Sequence, residues 1–222
     1  MLLKKLLPFF VLFLFSMSSH ATLFTANPYK SFADSPFNGV SGIMLEDFEG
    51  ISAGNMYMPP AGISVSNNMI VNPINSPIVD SVDADDGVID GSGLQGSTLF
   101  SSPGIVGVEF SFDNSFATYA GIVWTDGEGL VSFEAFDENG VSLGGYFDQN
   151  IADNSVVGTT DEDTFFGVMN AGGISKIRVW NTNGGIEVDH FQYSGTIVPI
   201  PAALWMFGSA VLGLVGCSKR KQ

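Results

Sequence analysis

Between residues 22 and 196 the hydrophobic positions recur at every second residue in short runs, and no stretch holds the 3.6-residue period of a helix. Val108, Phe110 and Phe112 alternate with Glu109 and Ser111, and Val131, Phe133 and Ala135 alternate with Ser132 and Glu134. Both runs read as strands buried on one face. The second passes through Asp137-Glu138-Asn139-Gly140 to Val141-Ser142-Leu143, where Asn-Gly supplies the positive φ angles of a tight turn and predicts a hairpin. Further strands are predicted at 43–48, 62–65, 69–71, 119–124, 165–168, 174–180 and 186–193, ten short runs in all when 106–112 is counted with the hairpin pair. In the last run Ile186 and Val188 share one parity while Phe191 and Tyr193 share the other, which predicts a bulge between them. The expected fold is all-β, a two-sheet antiparallel β-sandwich over residues 43–196, with 22–42 as an N-terminal extension.

The two ends follow a different pattern. Residues 1–21 carry Lys4 and Lys5, an apolar run over 6–15 and then Ser19-His20-Ala21, the three-region form of a secretory signal peptide cleaved by signal peptidase after Ala21. At the other end Ile197-Val198-Pro199-Ile200-Pro201 leads into an apolar stretch, 202–217, and a basic tail, 218–222. That stretch is near the lower length limit for a transmembrane helix, and Lys219, Arg220 and Lys221 mark its cytoplasmic end. The expected precursor is anchored in the inner membrane with its β domain outside the cytoplasm. Cys217 closes a string that looks like a lipobox, Leu214-Val215-Gly216-Cys217, but at the wrong end of the chain for lipidation.

Charge narrows the partners. The chain has a formal net charge of −15, and away from its ends only Lys30, Lys176 and Arg178 stand against all 23 acids, a net of −20. Such a surface repels phosphate backbones and excludes nucleic acid as a partner. One cysteine and two histidines exclude a disulfide framework, a CxxC redox motif and a Cys/His metal site.

The segment from Val198 to Lys221 closely resembles the PEP-CTERM sorting signal of Gram-negative bacteria, in the variant that begins Val-Pro-x-Pro and continues Ala-Ala-Leu-Trp-x-Phe-Gly-Ser. The resemblance implies an exosortase as partner, cleavage near Val198, Pro199, Ile200 and Pro201, and delivery to the cell surface or extracellular matrix alongside exopolysaccharide. A second resemblance spreads over about 150 residues. Asp47-Phe48-Glu49-Gly50, the Phe136 to Leu143 hairpin and the closing Gly185-Ile186-Glu187-Val188-Asp189-His190-Phe191 are similar to the jelly-roll domains of many PEP-CTERM proteins, which are related to carbohydrate-binding modules and galactose-binding-like sandwiches. These domains usually close on Ile-Asp-Asn-Leu, and here His190 replaces the Asn. This resemblance implies a structural Ca²⁺ held between end strands by Glu49, helped by Asp47 or Glu46, opposite Asp189.

Asp80, Asp83, Asp85, Asp86 and Asp90 cluster among glycines in a pattern suited to a hard cation, an alternative Ca²⁺ loop, although the spacing is not that of an EF-hand. Gly140-Val141-Ser142-Leu143-Gly144 matches G-x-S-x-G, yet a nucleophile elbow needs a helix after the serine and here a strand is predicted. Gly91-Ser92-Gly93-Leu94-Gln95-Gly96 matches a dinucleotide fingerprint but adjoins the aspartate run and opens no helix. On the strand 174–180, Lys176, Arg178 and Trp180 share a face, so that a sugar ring can stack on the indole and an acidic sugar can pair with the arginine. Trp124 is a second candidate for a glycan-facing position. The expectation is an exported, non-catalytic, glycan-associated or structural matrix protein; a secreted polysaccharide-processing enzyme is the alternative.

Overall fold

The computed structural model describes residues 20–49, 51, 55–66, 70–71, 80–82, 96–113, 115–152 and 162–195. The predicted sorting motif, span and basic tail, most of the signal peptide and the loop holding Asp83, Asp85, Asp86 and Asp90 lie outside these residues. Among the described residues no helix is long and apolar enough to cross a membrane.

The described chain is all-β and antiparallel. Its strands are β1 (Thr22–Ala26), β2 (Ile43–Glu46), β3 (Ile63–Val65), β4 (Ile70–Val71), β5 (Leu99–Ser101), β6 (Val108–Phe112), β7 (Ala117–Phe136), β8 (Ser142–Gln149), β9 (Thr164–Ile174) and β10 (Lys176–Ser194), with one 3-10 turn at Phe32–Asp34. Two of them organise the rest. β7 and β10 run antiparallel along almost their whole length, and each changes its outer neighbour halfway. Their ends near Tyr119 and Tyr193 lie between β9 on one side and β5 and β2 on the other, with β1 beyond β9 and β4 beyond β5. Their other ends, near Phe133 and Val179, lie between β8 and the pair β6 and β3.

Between these halves the ladder breaks register at Asn181/Asn183 and again at Asn183/Ile186, beside Gly129 and Gly184, both at positive φ. Buried Asn181 ties this bend together, accepting from Trp124 Nε1 at 3.3 Å and donating to the carbonyls of Asn183 and Gly185. The two halves meet face to face across the bend: Phe110 stacks on Phe191 with centroids 4.0 Å apart, and Phe166 meets Phe133 at 5.9 Å and Tyr146 at 5.7 Å. One hydrophobic cluster fills the gap, so the molecule is a sandwich whose layers share two strands that switch sheets at irregularities.

The strand list differs from the sequence expectation in an ordered way. Runs 119–124 and 131–136 are one strand, as are most of 174–180 and 186–193, because the glycines between them bend the ladder without ending it. β1 and β5 went unpredicted. Residues 22–42, set apart above as an extension, contribute β1, which pairs with β9 from Thr22↔Met169 to Ala26↔Phe165, and a strap that crosses the first layer. The bulge in the last run is present: the register slips between Asp189 and Gln192, with His190 at φ 45°. The hairpin is present, but its turn needs correction. Only Gly140 takes a positive φ, 74°, and the Asp137 carboxylate accepts from the Asn139 and Val141 amides at 2.8 Å each. The loop is a three-residue turn ending in a left-handed glycine, with Asp137 as its brace.

Candidate functional site

The outer surfaces of the two layers have opposite characters. On the first layer, Tyr29 and Phe37 of the strap, with Val82, pack on Val123 and Phe165 in a second buried cluster. Gly121 and Gly167 face each other in register, and a Cβ on either would collide with the Phe165 ring, so the pair forms the hollow that the ring fills. Polar bonds fasten the strap: Tyr29 OH meets His190 Nδ1 at 3.0 Å and accepts from Gln192 Nε2 at 2.9 Å, while Ser35 Oγ donates to Gln192 Oε1 at 2.5 Å.

The same covered surface buries acids. The Glu187 carboxylate accepts from Asp80 N at 2.9 Å; Asp189 accepts from Val82 N at 3.0 Å, Ser81 Oγ at 3.2 Å and His190 N at 2.6 Å. Asp126 lies directly across the ladder from Glu187 and is buried too. The hydroxyls of Thr98 and Thr125 are buried and make no hydrogen bond among the described residues. Of the cation candidates, Glu49 accepts from Ser97 N at 2.5 Å, and Asp47 accepts from Glu49 N at 3.2 Å. β2 ends with Glu46 opposite Phe191, and β5 begins with Leu99 opposite Val188. The segments holding Glu49 and Ser97 therefore converge on the stretch of β10 that holds Asp189. The oxygens there are hard donors of the kind Ca²⁺ prefers, although no three of His, Cys, Asp and Glu form a metal-holding group among the described residues. Burial, and then the neighbouring Glu46 carboxylate, hold the Tyr57 phenol above its ordinary range.

No described segment crosses the outer surface of the second layer. β10 places Lys176, Arg178 and Trp180 there while Ile177 and Val179 enter the core. Lys176 pairs with Glu109 at 2.8 Å and lies 4.7 Å from the Phe136 ring centroid. Arg178 lies 4.7 Å over the Trp180 ring and donates to the main chain, from Nε and Nη2 to Val106 O at 3.2 and 2.9 Å and from Nη2 to Ile105 O at 3.4 Å. Gly107, at φ 71°, lets that loop close on β10, because a Cβ there would meet the Val179 carbonyl and the Trp180 side chain. Phe147 extends the platform: it is 49% exposed, with its ring centroid 6.2 Å from that of Trp180. Ile105 and Val106 are exposed beside it.

Of the predicted glycan-facing residues, then, Lys176, Arg178 and Trp180 come together on solvent. Trp124 does not: it is buried completely between the layers, and its indole N–H is spent on Asn181. Phe147 was missed because Gly144-Gly145 reads as the end of a strand. β8 instead continues through them, and a Cβ on Gly145 would strike the Phe133 carbonyl. Ser142 opens β8 and donates to Glu134 Oε1 at 2.6 Å, whereas His190 belongs to the other layer.

No family model and no curated protein matches the chain. The chain is similar to the K2 cleaved adhesin domain of Lys-gingipain, with a TM-score of 0.41 and 13% identity over 70% of this chain and 99% of that one.

Proposed function

We propose that this is an exported, non-catalytic protein of the cell surface or extracellular matrix that binds glycan through the open face of its second layer. The supporting observation is the Arg178, Trp180 and Phe147 platform, in which Phe147 is 49% exposed and Trp180 is partly exposed beneath the Arg178 guanidinium. Flat aromatic faces take up sugar rings by stacking, and a partly exposed indole with a guanidinium beside it supplies both the apolar surface and the donors. Added polysaccharide should therefore perturb the Trp180 indole and spare that of Trp124.

Delivery follows from the two ends: signal peptidase releases the chain at Thr22, and an exosortase acts near Val198-Pro199-Ile200-Pro201. Intact mass measurement of surface material should find a chain that begins at Thr22 and lacks Lys219, Arg220 and Lys221. A mature surface protein that retains this tail would refute sorting.

In this reading the sandwich is of jelly-roll type, consistent with the pairing of β2 and β10, and a structural Ca²⁺ sits on the covered layer near Glu49 and Asp189. The buried carboxylates favour the ion. Carboxylate and hydroxyl oxygens are the hard donors that Ca²⁺ prefers.

A further inference from the structure

Resting on the reading that the open face binds glycan, we infer that its ligand is a uronate-bearing polysaccharide whose sugar carboxylate is recognised by Nη1 of Arg178 beside the indole N–H of Trp180. Arg178 stands directly across the ladders from two carboxylates, Glu109 on β6 and Glu134 on β7. It pairs with neither. Glu109 is taken by Lys176, and Glu134 accepts from Ser142. The guanidinium is turned to the carbonyls of Ile105 and Val106, which occupy Nε and Nη2 and leave Nη1 without a hydrogen-bond partner among the described residues. Trp180 Nε1 likewise makes no hydrogen bond with a described residue, and its side chain is partly exposed.

Among the described residues Arg178 therefore makes no ion pair with a carboxylate, and it lies against the partly exposed ring of Trp180. Main-chain bonds and stacking already fix its rotamer, so little conformational freedom is lost when an anion docks. A carboxylate suits the remaining guanidinium donor, and a charge-assisted bond rewards it over a hydroxyl. The domain's negative charge does not forbid this. Lys176 and Arg178 stand beside Glu109 and Glu134 on this face, and charges beyond about 8 Å are screened at physiological ionic strength.

The test titrates the full-length chain in detergent, by calorimetry, with an oligogalacturonate and with the same oligomer after its carboxyls are reduced to hydroxymethyl groups. The wild-type chain should prefer the uronate by about tenfold or more, the scale of one such bond. Arg178→Gln should abolish the preference while keeping affinity for the neutral oligomer, which also shows that the face is intact. Trp180→Ala should weaken both. Equal binding of the two oligomers by the wild-type chain, or a preference that survives Arg178→Gln, overturns the uronate inference and leaves glycan binding standing. Binding of neither oligomer overturns both.

Discussion

The same two strands build both layers, yet one layer is buried on both sides and the other on one. Along β10, Glu187, Asp189 and Gln192 face outward in the first layer and are buried, while Lys176, Arg178 and Trp180 face outward in the second and meet solvent. The difference lies in the strap. Residues after β1 carry Tyr29 and Phe37 over Val123 and Phe165, and no described segment crosses Trp180 and Phe147 in the same way. Outer-face chemistry follows from this division. Under the strap, polar groups are held in a network that can serve structure, whereas on the open layer a tryptophan and an arginine remain accessible and can serve recognition.

Removing an anchor of the strap should break the contrast with the largest effect. Phe37 touches Phe24, Tyr119 and Phe165 edge-on at centroid distances of 5.1 to 5.5 Å, and it has no exposed surface. Phe37→Ala should cost about 3–5 kcal/mol in chemical denaturation, the usual range for an emptied aromatic site. A loss below about 1 kcal/mol would mean that the strap is not part of the folded unit.

Calcium sharpens the comparison next, because the proposed site between Glu49 and Asp189 belongs to the covered layer. At a hundredfold excess over its dissociation constant Ca²⁺ should stabilise the domain by about 2.7 kcal/mol. The comparison is made against Mg²⁺ at fixed ionic strength, since salt screening also relieves repulsion among acids. Asp189→Ala should remove the gain if the ion sits beside Glu49; Asp85→Ala should remove it if the aspartate loop holds the ion. Equal effects of the two cations, unaltered by either substitution, would rule out both sites.

The hairpin on the open layer gives the smallest effect. Gly140→Ala should cost roughly 1–2 kcal/mol, because an L residue resists the left-handed region. Asn139→Ala, whose backbone is not left-handed, should stay within about 0.5 kcal/mol. Equal losses at the two positions would restore a turn with both central residues at positive φ.

The alternation in β6 and in the second half of β7 made the inward set Val108, Phe110, Phe112, Val131, Phe133 and Ala135 legible in advance, since a strand covered on one side writes its burial as a period of two. The parity change after Val188 exposed the bulge at His190 for the same reason. The covered layer was harder to read. Trp124 and Asp189 are buried on opposite faces of one sheet, so neither hydrophobicity nor charge told their sides apart. Glycines hid the long strands: Gly127, Gly129 and Gly145 look like breaks, and in the fold they permit a bend or a close approach of backbone. Of the candidate site, Lys176, Arg178 and Trp180 followed from parity along one strand. Phe147 required knowledge that β8 continues, and the strap required a contact across some 160 residues, which no local pattern records.

The most direct measurement follows the indole N–H signals of Trp124 and Trp180 by heteronuclear NMR while an oligosaccharide is added. One tryptophan lies in each environment, the first enclosed between the layers and bonded to Asn181, the second open beside Arg178 and Phe147. The Trp180 signal should shift in proportion to occupancy, Trp124 should stay in place, and Trp180→Ala should weaken binding while the Trp124 signal remains that of the folded domain. A Trp180 signal that stays fixed while the oligosaccharide binds, or a Trp124 signal that moves in step with it, would contradict recognition by the open face.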